Sequence, residues 1–98
     1  MEIFKKINGD ELSISLIGSL TSDNSPSLEQ VIKENINNVT SLVFDLKDLA
    51  YTSSAGLRVF LASHKIMANK GRMVIKNVNT EIMDVFEITG MINIFNIE

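Results

Sequence analysis

Two residue types that build many functional sites are scarce in this sequence of 98 residues, which has no cysteine and one histidine, His64. Without cysteine there are no disulfides, no thiolate nucleophiles and no cysteine-ligated zinc. A single imidazole does not supply the several nitrogen ligands of a histidine metal centre. We therefore expect an intracellular protein with no metal site and no bound cofactor.

Long apolar runs and clusters of positive charge are also missing. No uninterrupted apolar stretch reaches the ~18 residues of a membrane-spanning helix, and Met1-Glu2 does not open a signal peptide. We therefore expect a cytoplasmic protein without a membrane segment. The formal net charge is −3 and no block of Lys or Arg occurs, whereas nucleic-acid binders cluster basic residues against phosphates. The expected partner is another protein, with no direct contact to nucleic acid.

Proline occurs once, and no segment has the Gly, Pro and Ser richness of a linker. With 45% hydrophobic residues, this composition predicts a single domain spanning residues 1–98. A chain of this length buries one core of two or three layers and has no room for a large enclosed substrate cavity. Chemistry on large substrates is therefore not expected.

The first half of the chain is predicted to form a hairpin and a helix. Two apolar runs, 3–7 and 12–17, flank Asn8-Gly9-Asp10, and Asn-Gly at the centre of a turn accepts positive φ at both positions. A polar loop over 18–24 should lead to Ser25-Pro26, a capping serine before a proline suited to the first helical position. Apolar residues then recur at three- and four-residue spacing, which predicts a helix.

The second half is predicted to alternate strands and helices. The nearly continuous apolar run Ser41–Leu46 suits a strand buried on both faces, and Arg72–Lys76 is another such run. A helix should lie between them, a third helix should begin at Asn79 or Thr80, and the period-two pattern over 92–97 predicts an edge strand. The residues predicted to face inward are Leu57, Phe60, Leu61, His64 and Ala68 in the second helix and Ile82, Val85, Phe86 and Thr89 in the third.

This order of elements indicates the fold class. A strand, a helix and a strand in succession form a right-handed parallel crossover, whereas strands joined by a tight hairpin are antiparallel. The predicted architecture is therefore α/β, with a mixed sheet of about five strands and about three helices.

Tyr51–Arg58 is the most informative stretch, because three hydroxyl residues stand there between the predicted central strand and the second helix. The run 52–56 differs by one residue from the Gly-x-Ser-x-Gly nucleophile elbow of hydrolases, centred on Ser54. A serine nucleophile needs a base within about 3 Å. The only histidine, His64, lies ~15 Å farther along the helix axis, and Lys65 and Lys70 lie farther still. We therefore expect no catalytic residues and no enzymatic activity.

Two roles for the serines remain open from spacing alone. A phosphate on Ser54 would meet the free N–H groups and positive end of a helix, so the fold would tolerate it. The added charge would block an apolar partner surface. In the other interpretation, Ser53 or Ser54 is only a helix cap that contributes about 1 kcal/mol, and hydroxyl caps are common.

Several motifs of the chain occur in the same order in a known family. The strongest is Ser-Ser-Ala-Gly-Leu-Arg at 53–58, preceded by Gly18-Ser19-Leu20 and Asp45-Leu46 and followed by Ile88-Thr89-Gly90-Met91. In these motifs the chain resembles the STAS family, and specifically its bacterial anti-sigma factor antagonists. The resemblance covers essentially the whole chain. It implies a mixed sheet with helices packed mainly on one face.

The resemblance also implies a switch in partner binding. In the family, the serine two places before the glycine is phosphorylated by a partner that is both an anti-sigma factor and a serine kinase, and that position is Ser54. The unmodified protein would bind the anti-sigma factor and free a sigma factor, phosphorylation would abolish binding, and a PP2C-type phosphatase would restore it. The expected partner-binding residues are Thr21, Ser53, Ser54, Gly56, Leu57 and Arg58.

Two positions differ from those of many relatives, because Ser53 and Thr21 stand where those proteins often carry Asp. The differences keep a second hypothesis open, in which the chain is a non-catalytic STAS module that binds a small ligand or serves a transporter or sensory complex. Ser53 is also a competing phosphorylation site, although a cap suits it better. Arg58, four residues after Ser54, would contact the phosphate or a partner carboxylate, or else lie on a solvated face.

Overall fold

The computed structural model describes residues 1–98 and contains five strands, three α-helices and two short 3₁₀ turns. The 3₁₀ turns cover Ile36–Asn38 and Met91–Asn93. The other elements, in chain order, are β1 (Glu2–Asn8), β2 (Glu11–Leu20), α1 (Ser25–Asn35), β3 (Ser41–Thr52), α2 (Ser54–Ala68), β4 (Arg72–Lys76), α3 (Thr80–Thr89) and β5 (Asn96–Ile97).

All five strands form one sheet in the order β1-β2-β3-β4-β5. Strands β1 and β2 are antiparallel, with Glu2 opposite Ile17 and Asn8 opposite Glu11. Every other neighbouring pair is parallel. The α/β fold class with a mixed five-stranded sheet, which the sequence predicts, is therefore confirmed.

The helices share one face of this sheet. Strands β2 to β5 follow one another across the sheet in chain order. Crossovers between parallel strands are right-handed, so every connecting helix lies on the same side of the sheet. Alternate strand residues point to that side and are buried there. Phe60 of α2 lies at the centre, edge-to-face with Phe44 at 5.0 Å between ring centroids. The buried strand residues of this core are Leu12, Ile14, Leu16 and Leu20 of β2, Leu42, Phe44, Leu46 and Leu49 of β3, and Met73 and Ile75 of β4.

The predicted N-terminal hairpin is confirmed, but its turn lies one residue later. Asn8 pairs with Glu11, so the two central residues are Gly9 and Asp10. Only Gly9 has a positive φ, +61°. Glycine at the first central position is the requirement of a type II′ turn, whereas a turn centred on Asn8-Gly9 would need positive φ at both residues.

Strands β2 and β3 extend beyond their predicted ends. Part of the predicted loop 18–24, the segment Gly18–Leu20, belongs to β2, and β3 continues past Leu46 to Thr52. The pairing of the two strands shifts register twice, so β3 carries extra residues opposite β2. Its buried residues therefore stop alternating, and Leu49 follows Leu46 after three positions. A period-two pattern does not detect such a strand.

Two positions predicted to face the core in the helices are exposed. Helix α2 buries Met67, whereas Ala68 next to it is exposed. Helix α3 exposes Thr89, whose hydroxyl donates to the carbonyl oxygen of Val85 at 2.7 Å. Met67 lies seven residues after Phe60, which is two helical turns and the same face. The buried face of α2 therefore includes Met67 and not Ala68.

The C-terminal strand is shorter than the pattern over 92–97 predicts. The segment begins within a 3₁₀ turn, and only Asn96–Ile97 pairs with β4. Ile94 is exposed while Phe95 is buried. Phe95 packs edge-to-face on Phe86 at 5.4 Å between ring centroids, and this aromatic contact, rather than strand alternation, decides which residue turns inward.

Candidate functional site

The carboxyl ends of β2 and β3 lie side by side and bring the predicted site residues to one edge of the sheet. Leu20, the last residue of β2, pairs with Thr52, the last residue of β3. One residue further, the Ser53 N–H donates to the carbonyl oxygen of Leu20 at 2.8 Å. Loops that follow neighbouring parallel strands meet at this edge. Thr21 and Ser54 are therefore near each other although they are far apart in sequence.

Ser53 is the N-cap of α2. Its backbone is extended, with φ −83° and ψ 172°, and its hydroxyl accepts a hydrogen bond from the Gly56 N–H at 3.2 Å. Its carbonyl oxygen accepts the first backbone bond of the helix, from the Leu57 N–H at 3.1 Å. The N–H groups of a first turn have no partner inside the helix, and a capping hydroxyl satisfies one of them. The structure therefore gives the capping role to Ser53.

Ser54 is the first residue of α2, and its side chain is exposed. The side-chain hydrogen bonds of this segment use the hydroxyls of Thr52 and Ser53 and leave that of Ser54 free. The first turn contains no acidic residue, so the partial positive charge of the helix N-terminus has no local counter-charge. Ser54 therefore presents a free hydroxyl where a negative group is electrostatically favoured.

Gly56 lets the start of α2 approach the ends of the two strands. A Cβ atom at this position would lie 2.5 Å from the Thr52 Oγ1 and 2.6 Å from the Leu20 Cδ2. Both neighbours are buried, and Leu57 beside them is 8% exposed. Gly56 and Leu57 thus lie beneath the surface and fix the position of Ser54 above them. Their predicted role in partner binding stays a prediction.

The loop after β2 is held by Asn24. The Thr21 N–H donates to the Asn24 Oδ1 at 2.7 Å, and the Asn24 Nδ2 donates to the carbonyl oxygen of Ser19 at 2.9 Å. Asn24 occupies the N-cap position of α1 without a side-chain cap bond, and Ser25, predicted as the cap, is instead the first helical residue. The buried Ser25 hydroxyl donates back to the Thr21 carbonyl oxygen. Thr21 is half-buried in this turn.

Arg58 is exposed and lines a cleft between the first turns of α1 and α2. The cleft has a volume of about 210 Å³ and opens beside Ser54, since its wall includes Ala55. A guanidinium and a carboxylate face it, so a polar or charged segment of a partner suits it better than an apolar one. The lining residues are Ser22, Ser25, Pro26, Glu29, Ala55 and Arg58.

Two residues beside the predicted site were absent from the predicted partner-binding set. Tyr51 is 52% exposed three residues before Ser54, and exposed tyrosines are frequent in the centres of protein interfaces. Its position in the hydroxyl-rich stretch 51–58 was a sequence signal for a role in partner binding. Glu29 lines the Arg58 cleft, and no sequence signal connects it to Arg58, because α1 and α2 meet only through tertiary packing.

His64 lies away from the serines. It is half-buried, and its ring is edge-on to Phe95 at 6.0 Å between centroids. Ten residues of helix separate it from Ser54, which corresponds to ~15 Å along the axis. No group of three or more His, Cys, Asp or Glu side chains is arranged to hold a metal ion. None of the helices combines the length and the apolar character that crossing a membrane requires.

Two curated relatives align with nearly the whole chain. The anti-sigma-B factor antagonist of Bacillus subtilis is 26% identical over 93 residues, which is 94% of this chain and 85% of the relative. BtrV of Bordetella bronchiseptica, a candidate anti-sigma factor antagonist, is 35% identical over 92 residues, which is 92% of this chain and 78% of the relative. The aligned region thus makes up most of each relative.

Solved structures share the fold at lower sequence identity. An anti-sigma factor antagonist from Mycobacterium paratuberculosis superimposes with a TM-score of 0.87 at 18% identity, over 98% of this chain and 83% of that one. The Bacillus cell fate determinant SpoIIAA in its phosphorylated form gives a TM-score of 0.79 at 19% identity, over 99% and 91% of the two chains. The family model described as STAS domain matches residues 2–98. The chain therefore belongs to the STAS domain family.

Proposed function

We propose that this protein is an anti-sigma factor antagonist that is switched by phosphorylation of Ser54 and acts in the cytoplasm. In its unmodified form it binds an anti-sigma factor that is also a serine kinase, and a sigma factor is released. The kinase then phosphorylates Ser54, which ends the interaction. A PP2C-type phosphatase removes the phosphate and resets the protein. The protein is thus a binding module rather than an enzyme.

The exposed, unbonded hydroxyl of Ser54 at the start of α2 carries this proposal. A kinase needs a hydroxyl that is free to enter its active site, and Ser54 offers one without breaking an internal contact. The neighbouring Ser53 hydroxyl is engaged with the Gly56 N–H. One curated relative is an anti-sigma-B factor antagonist and the other is a candidate anti-sigma factor antagonist, and the structural neighbour SpoIIAA is described in a phosphorylated form.

A phosphate on Ser54 would change the surface charge and leave the fold intact. It adds about −1.5 to −2 charges at neutral pH and three strong acceptor oxygens. The N–H groups of the first turn of α2 and the helix dipole stabilise that charge. Arg58, four residues later, lies one turn along the same side of the helix and is able to pair with the phosphate. Pairing would withdraw Arg58 from the cleft and from a partner carboxylate.

The partner is expected to contact the edge formed by Thr21, Ser53, Ser54 and Arg58. Glu29 and Arg58 supply both charges on one side of this edge, and Tyr51 supplies an exposed aromatic ring. A phosphate placed here would have to be desolvated in the interface, where it also repels acidic groups of the partner. Loss of binding upon phosphorylation follows from both effects.

The site of modification is tested by phosphorylation in vitro. The protein is mixed with its cognate anti-sigma serine kinase and ATP, and the modified peptide is mapped by mass spectrometry. We expect phosphate on Ser54, none on Ser54→Ala, and normal modification of Ser27→Ala, an exposed serine in the first turn of α1. Phosphate on Ser53 alone, or undiminished modification of Ser54→Ala, would refute the assignment.

The effect on binding is tested with a charge substitution. We expect Ser54→Asp to bind the anti-sigma factor at least about tenfold more weakly by calorimetry, a difference of about 1.4 kcal/mol. Its melting temperature should stay close to that of the wild type, because Asp is favourable in a first turn. Thr80→Asp places the same charge at the exposed first residue of α3, outside the Arg58 cleft, and should bind normally. Loss of folding in Ser54→Asp would instead indicate a purely structural serine.

A further inference from the structure

Strand β1 is an open edge of the sheet. It is the terminal strand in the order of the five, and all of its residues except the half-buried Ile3 are exposed. Among them are two large apolar side chains, Phe4 at 52% and Ile7 at 53% exposure. The outer N–H and C=O groups of an edge strand are a template for a further strand. This edge lies outside the switch site at the carboxyl ends of β2 and β3.

Most of the features that protect sheet edges from pairing are missing from β1. It is seven residues long, has no proline, and pairs with β2 without any register shift from Glu2 to Asn8. Natural edges are instead short, bulged, covered or charged. The opposite edge, β5, is protected in this way because it has only two residues. The charges of Glu2, Lys5 and Lys6 therefore decide what β1 is able to pair with.

The hairpin determines which backbone groups of β1 are free. Asn8 and Glu11 close a two-residue turn and pair with each other, and alternate pairs in an antiparallel ladder exchange both hydrogen bonds. Counting back from Asn8, the even-numbered residues bond to β2. Ile3, Lys5 and Ile7 therefore direct their N–H and C=O groups outward. A second antiparallel strand must bond to these odd-numbered residues.

Two copies of β1 related by a two-fold axis bond through their odd-numbered residues when the axis passes through one residue position. That residue then lies opposite its own copy in the other chain. An axis at Lys5 places two lysines opposite each other, and an axis at Lys6 does the same, which is unfavourable. An axis at Phe4 places Phe4 opposite Phe4 and Glu2 opposite Lys6 twice. The paired phenylalanines then occupy a non-hydrogen-bonded position, where side chains approach most closely. Of these registers, only the axis at Phe4 matches opposite charges and apolar groups.

We propose that a second copy of this chain docks on β1, with the two-fold axis at Phe4, and joins the two sheets into one of ten strands. The Glu2, Phe4 and Lys6 side chains of the two copies form a continuous row on the face that carries no helices. Because the two β1 strands run in opposite directions, the two Ser54 sites lie at opposite ends of the dimer. Both sites stay accessible.

The test is a charge exchange followed by sedimentation equilibrium of the full chain up to about 1 mM, since an interface of two strands is small and weak. Each dimer holds two Glu2–Lys6 pairs, so Glu2→Lys and Lys6→Glu should each weaken association by about tenfold. The double variant Glu2→Lys/Lys6→Glu should restore it. Glu34→Lys makes the same change of charge as Glu2→Lys at an exposed position of α1 and should leave the association unchanged. Circular dichroism confirms that each variant is folded.

Three results would overturn the proposal. The first is a wild-type protein that stays monomeric over the whole concentration range. The second is a dimer that neither single charge reversal weakens, or that the double exchange fails to restore. The third is a Lys5→Ala variant that associates more strongly than the wild type. This result would place the axis at Lys5, where two lysines repel each other in the wild-type dimer.

Discussion

Separate alanine substitutions of Ser53 and Ser54 distinguish a structural serine from a free one. The Ser53 hydroxyl accepts the Gly56 N–H at 3.2 Å, whereas the Ser54 hydroxyl has no hydrogen-bond partner and its side chain is exposed. Alanine is also well suited to a helical position such as residue 54. We therefore expect neighbouring residues of identical type to differ in their contribution to stability.

The magnitude follows from the environment of the capped N–H. Replacing an N-cap serine by alanine costs about 0.5–2 kcal/mol. Gly56 is buried against Leu20 and Thr52, so water replaces the lost bond poorly, and we expect a value in the upper half, about 1–2 kcal/mol. Ser54→Ala should change the free energy of unfolding by less than about 0.5 kcal/mol. In a domain of this size, 1 kcal/mol corresponds to about 4–8 °C in melting temperature.

Urea denaturation followed by circular dichroism measures both values. Ser53→Asp is the matched rescue, because Asp caps helices as well as Ser does, and it should be as stable as the wild type. The reasoning is refuted if Ser54→Ala loses as much stability as Ser53→Ala. It is also refuted if Ser53→Asp is as unstable as Ser53→Ala, since the loss would then not come from the cap.

Three further substitutions test the packing that supports the site, each by urea denaturation. Gly56→Ala should lower the free energy of unfolding by about 1–3 kcal/mol because its methyl group overlaps buried atoms of β2 and β3. An unchanged urea midpoint would mean that α2 shifts without cost to make room for the methyl group. Asn79→Ala should lose about 2 kcal/mol, since its side chain accepts the Ile82 N–H at 3.0 Å and donates to the Leu49 carbonyl oxygen at 2.6 Å. A loss below about 0.5 kcal/mol would contradict both bonds. Phe60→Ala should lose about 3–5 kcal/mol, the largest value of the set, and a smaller loss than that of Gly56→Ala would argue against an aromatic core centred on Phe60.

Features that depend on neighbouring residues could be predicted from the sequence. Asn79 was one of the two caps proposed for α3, and its side chain accepts the Ile82 N–H. Gly90 follows the last helical residue, Thr89, and ends the helix with a left-handed φ of +78°, a conformation that favours glycine. Helix caps and glycine stops depend on a few consecutive residues, so a single sequence contains much of the information, although the cap predicted at Ser25 is wrong by one residue.

Features that depend on pairing between distant segments could not be predicted. Exposed Lys47 and Asp48 end the apolar pattern of β3, yet the strand continues because β2 pairs with it as far as Leu20 and Thr52. At the second register shift, Gly18 adopts a φ of +103°. Sequence reasoning took this glycine for the start of a loop, whereas it is part of an irregular strand. The exact path of both strands follows from their pairing.

For the candidate site, the sequence predicts a set of partner-binding residues, which stays a prediction, but it does not predict how deeply each of them is buried. The run 53–58 reads as one continuous surface, whereas helix geometry turns Gly56 and Leu57 under Ser54 and leaves Ser54 and Arg58 outside. Ser54 and Arg58 are four residues apart and lie on one side of the helix, whereas Gly56, two residues from Ser54, does not face it. Leu57 is turned toward the core and is 8% exposed. The buried pair is therefore expected to affect a partner by positioning the exposed pair, and a substitution such as Gly56→Ala should alter binding and stability together.

This separation by depth also distinguishes the two serines as targets of a kinase. To be modified, Ser53 must first release the Gly56 N–H, a bond that closes the first turn over buried atoms of β2 and β3. Ser54 loses no bond, and the N–H groups of the same turn favour the charge that it receives. The proposed switch therefore requires both residues. Ser53 keeps the helix start in place while Ser54 changes charge, so that a partner meets an altered surface on an unaltered fold.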